Sequence, residues 1–192
     1  MAKALRCQKA EHTFADTPCG IMDQYISAMG LKGSLLLIDC RTNSFELIPF
    51  GAATTGTASS SPIILVTNSL VKHTLSGSEY PDRVRQCKEA VAAIKMKYPI
   101  VEALRDANLD MLDSVQEELS DVVYRRAKHV IGEDIRTQSA VAALKKGDYV
   151  TVGQLMTASH YSLKDDYEVS CDELDFLVEV ANKVHANDSS FI

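Results

Sequence analysis

The chain has 192 residues, 46% of them apolar, with 20 lysines and arginines against 26 aspartates and glutamates and a formal net charge of −6. That composition supplies a core for one domain or for parts of two, and the acidic balance argues against a nucleic-acid footprint. No apolar run approaches the ~20 residues a membrane span needs, and the stretch from Met1 to His12 has no apolar segment of secretory type, so no membrane association and a cytoplasmic location are expected.

Residues 1–12 read as a helix, with Ala and Leu set among Lys and Arg. Thr17-Pro18-Cys19-Gly20 is a turn. Ile21 to Met29 follows as a short helix, spaced by Ile21, Met22, Tyr25, Ile26 and Met29, and Gly30 is a natural residue just past its end. Ser34 to Cys40 is too short and too apolar for an exposed helix and reads as a strand. Phe45 to Phe50 pairs with it across the turn Arg41–Ser44, and Pro49 puts its end at an edge.

Gly51 to Ser61 contains only Gly, Ala, Thr and Ser and is the natural boundary between domains. Pro62 to Ser69 reads as another buried strand. The rest is helical. Glu79 to Tyr98 carries a stripe of Val84, Cys87, Val91 and Ile94. Asp121 to Lys146 is a long helix with a possible break at Gly132. Gly147 ends it, and Asp148 caps a helix running to about Leu163. Ser170-Cys171-Asp172-Glu173 has the form of a capping box opening a last helix to about His185. A hairpin, a linker, a strand and then several helices make an α+β pattern.

The basic cluster Arg125, Arg126, Lys128 and His129 is short and flanked by acids, and reads as a solvated helix face. The pair Asp165-Asp166 reads the same way, because adjacent residues on a helix point in different directions. Cys7, Cys19, Cys40, Cys87 and Cys171 are odd in number and form no Cys-x-x-Cys, so buried reduced thiols are expected. The histidines show no metal-ligand spacing. Glu11-His12-Thr13 reads as helix packing.

Asp23 is the most unusual residue by position. It lies in the first turn of a short apolar helix, where the helix N-terminus favours a carboxylate anion, and Gly20 before it allows close approach of a ligand or of backbone. Such a carboxylate could accept a hydroxyl proton. From position alone the ordinary reading is an acid that satisfies free backbone N–H groups. Likewise Tyr80, ahead of Pro81, reads as a packing aromatic at the start of a helix.

The run from Cys7 to Phe14, followed by Pro18-Cys19-Gly20-Ile21-Met22-Asp23-Gln24-Tyr25-Ile26-Ser27, resembles the central signature of the galactokinases, which are GHMP small-molecule kinases. The resemblance continues in Gly33 to Cys40, Thr67-Asn68-Ser69, His73, Ser78-Glu79-Tyr80-Pro81, Arg83, Arg85, Gln86 and Cys87, Arg125 to Val130 and Ser162 to Cys171. It implies a partial GHMP kinase fold: residues 1–52 as the end of the N-terminal domain and 62–192 as an incomplete C-terminal domain. It also implies ATP-dependent phosphorylation of galactose at O1, with Asp23 as catalytic base and Gly20, Asp23 and Tyr80 as sugar contacts, and ATP with Mg2+ as the phosphoryl donor. The family's Gly-Glu-His-x-Asp-Tyr segment, its Gly/Ser-rich phosphate loop and its late glycine segment do not occur among these residues. The expectation is therefore a truncated chain, inactive alone. Alternative readings are an N-acetylgalactosamine kinase, a non-catalytic galactose-sensing paralogue, or an interaction module without a ligand.

Overall fold

The computed structural model describes residues 2–16, 19–51, 62–71 and 80–187, and the side chains of all of these except residues 80 and 184–187. The expected linker at 51–61 falls almost entirely outside the described residues, as does the first half of the turn at 17–20. The chain divides into two compact units. The first takes in the described residues of Met1–Val66 and Ala140–Val152; the second takes in those of Thr67–His73, Gly77–Ser139 and Gly153–Ile192.

In the first unit, helix α1 (Ala2–Phe14) and helix α2 (Met22–Met29) pack on a hairpin of β1 (Ser34–Asp39) and β2 (Ser44–Pro49). The antiparallel register runs from Ser34 opposite Pro49 to Asp39 opposite Ser44. Its turn is closed by the Asp39 carboxylate, which accepts from the backbone N–H groups of Arg41 and Thr42 at 2.9 and 3.3 Å, and Asn43 adopts a left-handed φ of 54°, which Asn tolerates. Ala4, Ile21 and Tyr25 form the small core, with Met29, Leu36, Ile38 and Phe45 packed against it. Burial explains the hairpin: alternate side chains of a strand share a face, so Leu36, Ile38 and Phe45 meet the helices together.

Gly30 follows α2 with an extended backbone, φ −62° and ψ 139°, so left-handed freedom is not its purpose. A Cβ there would stand 2.7 Å from the Ile26 carbonyl oxygen. Close approach is what requires glycine.

The second unit is helical: α3 (Tyr80–Lys97), a 3₁₀ turn (Leu104–Asp106), α4 (Leu109–Asp113), a second 3₁₀ turn (Gln116–Glu118), α5 (Asp121–Lys146), α6 (Tyr149–Tyr161) and α7 (Asp172–Asn187). The last turns of α5 and the start of α6 count with the first unit. Ala90, Ile94, Val101, Leu104, Leu112, Val115, Val123, Ala127 and Ile131 make its core. The buried face of α3 is Arg83, Ala90 and Ile94, flanked by Cys87 and Val91, whereas Val84 is exposed. The buried stripe therefore starts one residue before its expected place, because a buried arginine takes the position that periodicity gives to a valine.

α5 runs through Gly132 unbroken. The Arg136 guanidinium lies 3.0 Å from where a Cβ at Gly132 would be, so the glycine accommodates a side chain rather than a kink. Gly147 ends α5 with a φ of 71°, and the Asp148 carboxylate accepts from Thr151 N–H at 3.0 Å, as a cap should. The expected capping box at 170–173 takes another form: the Ser170 hydroxyl donates to Asp175 at 2.7 Å, and Asp175 also receives Lys164 at 2.7 Å and His160 at 3.3 Å.

Several expectations fail. Residues 62–70 form no strand, and Ile63, Ile64, Leu65 and Val66 are 95, 71, 88 and 86% exposed. An apolar run becomes a strand only where another strand pairs with it, and the only sheet among the described residues is the two-stranded hairpin. The thiols are free, but Cys7 and Cys40 are exposed rather than buried.

The basic cluster is not a solvated face. Arg126 and His129 are 2% and 5% exposed, and they grip a π-helical turn (Ser162–Asp166) and the residues after it. Arg125 donates to the Asp165 carbonyl at 2.8 Å and Arg126 to the Asp166 carbonyl at 2.5 Å. Arg83 from α3 donates to the carbonyls of Tyr167 and Glu168 at 2.9 and 3.1 Å. Both Arg125 and Arg126 bind the Glu168 carboxylate. Lys128 and the Ser162 hydroxyl bind Asp166, each at 3.1 Å, so this aspartate is part of the cluster and not a solvated residue. The His129 ring stacks on Tyr167 at 4.3 Å, with Nδ1 2.9 Å from the Ser162 hydroxyl. Burial pushes the His129 pKa below its usual value.

Candidate functional site

Asp23 is exposed on the first turn of α2. Its place is set by buried neighbours on the opposite side. Ile21 is 7% exposed and Tyr25 fully buried. The Tyr25 hydroxyl donates to the Asn43 carbonyl at 2.6 Å, and its ring meets Phe45 edge-on at 6.5 Å. The helix is thus pinned to the hairpin turn by one residue while Asp23, two positions earlier, faces outward.

The segment before the helix is strapped to α1. The Cys19 carbonyl lies 2.8 Å from His12 Nε2 and accepts from Gln8 Nε2 at 3.3 Å, and Gln24 Nε2 reaches the Cys19 thiol at 3.7 Å. His12, read from sequence as helix packing, therefore holds the backbone next to Gly20. Gly20 itself is exposed, with no atom within 4 Å of a would-be Cβ. A hollow of about 290 Å³ lies beside Asp23 between α1 and α2, lined by Lys3, Cys7, Glu11, Gln24 and Ser27 among others. The Gln24 side-chain amide oxygen, Oε1, is buried without a hydrogen-bond partner among the described residues.

Gly20 and Asp23 stand together in this unit; Tyr80 opens α3 in the other. Arg83, one turn further along α3, and the 162–168 turn it grips were not recognised as a unit from sequence. The only signal was a cluster of basic residues and a distant acidic run with no visible reason to meet. Among the described residues no group of His, Cys, Asp and Glu is arranged to hold a metal ion, and no helix is long and apolar enough to cross a membrane.

No protein-family model matches the chain. It is 50% identical to human galactokinase over 180 residues, which are 94% of this chain and 43% of that protein. It is 41% identical over 181 residues to galactokinase of Roseiflexus sp. (strain RS-1), again 94% of this chain, and 44% of that one. The crystal structure of Lactococcus lactis galactokinase complexed with galactose shares the fold with a TM-score of 0.76 at 28% identity, over 92% of this chain and 44% of that one. Likeness of sequence and likeness of fold agree on one class, the sugar kinases, and bear out the α+β assignment. Within that class the chain belongs to the galactokinase family as a partial member: it spans somewhat under half the length of the curated relatives it matches.

Proposed function

We propose that this chain carries the catalytic-base segment of a galactokinase. Asp23 takes the proton of the galactose O1 hydroxyl as that oxygen attacks the γ-phosphoryl of ATP. Gly20 leaves room for the sugar, and Tyr80 is a further sugar contact, taken from the family motif Ser78-Glu79-Tyr80-Pro81. The observation that supports this best is 50% identity to a galactokinase across 94% of the chain. The exposed first-turn position of Asp23 is compatible with it, because a general base must be reachable by the hydroxyl it serves. Phosphoryl transfer depends chiefly on positioning and charge stabilisation. The family's phosphate loop is not among these residues, so ATP with Mg2+ would be held only when the chain is joined to the remainder of a galactokinase. On this reading residues 1–52 end an N-terminal domain, 62–192 belong to a C-terminal one, and the protein works in the cytoplasm.

The test has two parts. Galactose titrated calorimetrically into the purified chain should bind saturably, while galactose with ATP should turn over no faster than a buffer blank. In the complete product of the locus, galactose should be phosphorylated in preference to N-acetylgalactosamine. There Asp23→Asn should lower kcat by about 10²–10⁴-fold, the range for loss of a general base, with no change in melting temperature. An Asp23→Asn enzyme as active as wild type rejects the assignment.

A further inference from the structure

Four successive carbonyl groups, those of Asp165, Asp166, Tyr167 and Glu168, each receive a guanidinium N–H. The end of a helix leaves its last carbonyls without partners; here Arg125 and Arg126 of α5 and Arg83 of α3 supply the donors. Glu168 is left-handed, at φ 54°, a conformation unfavourable for a non-glycine residue that persists where neighbours enforce it.

Arg83 is the unusual member. It stands in the first turn of α3, where the helix dipole disfavours a cation, yet it is 7% exposed. Burying a guanidinium there does not help α3 as an isolated helix. Its fork instead joins the start of α3 to the 167–168 backbone, and its third nitrogen reaches Gln86 of its own helix at 3.4 Å. The Arg83 carbon also stands 5.8 Å from the centre of the Tyr167 ring. The helix start that this fork fixes begins with Tyr80, one turn earlier.

We propose that Arg83, seated on the carbonyls of Tyr167 and Glu168, is a positioning residue for Tyr80, so that the 162–168 turn sets galactose affinity without touching the sugar. The inference rests on the reading of Tyr80 as a sugar contact. A lysine at position 83 keeps the charge but lacks the planar fork and cannot hold two carbonyls in the same way. A purely stabilising arginine would affect affinity only as much as any equally destabilising core change.

The experiment measures galactose affinity by calorimetry and amide hydrogen exchange in the 192-residue chain, for wild type and for Arg83→Gln, Arg83→Lys, Arg85→Gln and Val123→Ala. Arg85 is an exposed arginine of the same helix, and Val123 is a buried core residue 4% exposed. Both Arg83 variants should weaken galactose binding about tenfold, an effect well resolved by calorimetry. They should also lose protection of the 84–88 amides by about tenfold while those of the α5 core keep theirs. Arg85→Gln and Val123→Ala should bind galactose as wild type does. Unchanged affinity in Arg83→Lys and Arg83→Gln overturns the proposal, and so does an equal loss in Val123→Ala. A wild-type chain that binds no galactose removes the sugar-site reading and this proposal with it; protection lost at 84–88 in the Arg83 variants would then mark the clamp as structural only.

Discussion

Replacing Glu168 with Gln tests the clamp from its other side. The carboxylate sits 2.5 Å from both Arg125 and Arg126, and these guanidinium groups, Arg125 foremost, hold its pKa down from 4.5 to about 2. Taken at full weight, a shift of that size corresponds to about 3 kcal/mol. The Glu168 side chain is 47% exposed, so water and salt screen the attraction, and the working figure is about 1–2 kcal/mol. Arg126 draws the figure toward the upper end. It is 2% exposed and its Nε has no partner among the described residues, so removing the carboxylate charge leaves a buried cation poorly compensated. The chain contains no tryptophan, so urea unfolding is best followed by far-UV circular dichroism. At neutral pH the variant should lose about 1–2 kcal/mol, or about 2–6 °C in melting temperature. The sign with pH follows from the depressed pKa. The contribution of Glu168 is full above its unfolded value of 4.5 and is lost as pH falls toward about 2. The gap between wild type and variant should therefore narrow from about pH 4.5 downward as the wild-type carboxylate takes up its proton. Equal stability at neutral pH, or a gap that stays constant through that acid range, would refute the reasoning.

Two further pairs of substitutions test the packing. Ile94→Ala removes a fully buried core side chain and should cost about 2–5 kcal/mol, whereas Val84→Ala, at a residue 36% exposed, should stay within about 0.5 kcal/mol; chemical denaturation of both variants checks which residues carry the α3 stripe. Gly30→Ala should destabilise by about 1–3 kcal/mol through overpacking against the Ile26 carbonyl, while Gly20→Ala, with nothing within 4 Å, should melt as wild type does.

Local chemistry made much of the fold legible. The helices at 2–14, 22–29 and 80–97 and the hairpin at 34–49 follow from apolar spacing and turn residues, because both are set by neighbours a few positions away. What was misread depended on partners far along the chain. Arg125 and Arg126 look solvated until Asp165–Glu168, about forty positions on, is folded against them. Arg83 is joined to Tyr167 and Glu168 across 84 and 85 positions. Periodicity carries no information about such pairs. The run at 62–69 failed for the opposite reason: its composition is that of a strand, but composition cannot supply the strand it would pair with.

The candidate site was legible only through its motif, and the geometry around Asp23 explains why. A carboxylate with a structural role is recognisable because it closes a turn, as Asp39 does, or caps a helix, as Asp148 does. Asp23 stands out by neither mark; it is exposed on a helix whose burial is carried by Ile21 and Tyr25 on either side of it. That arrangement separates holding from acting. The buried pair fixes the backbone, the Tyr25 hydroxyl ties it to the hairpin turn at Asn43, and the acid between them is left exposed, as the proposed role of general base requires. It follows that Tyr25→Phe, which keeps the ring and deletes only the tie to Asn43, should disturb the placement of Asp23 more than the packing of the core. If the full-length protein has the proposed galactokinase activity, the substitution should lower kcat more than it lowers melting temperature, and a variant that melts early yet turns over galactose at the wild-type rate would show that the tie serves stability alone.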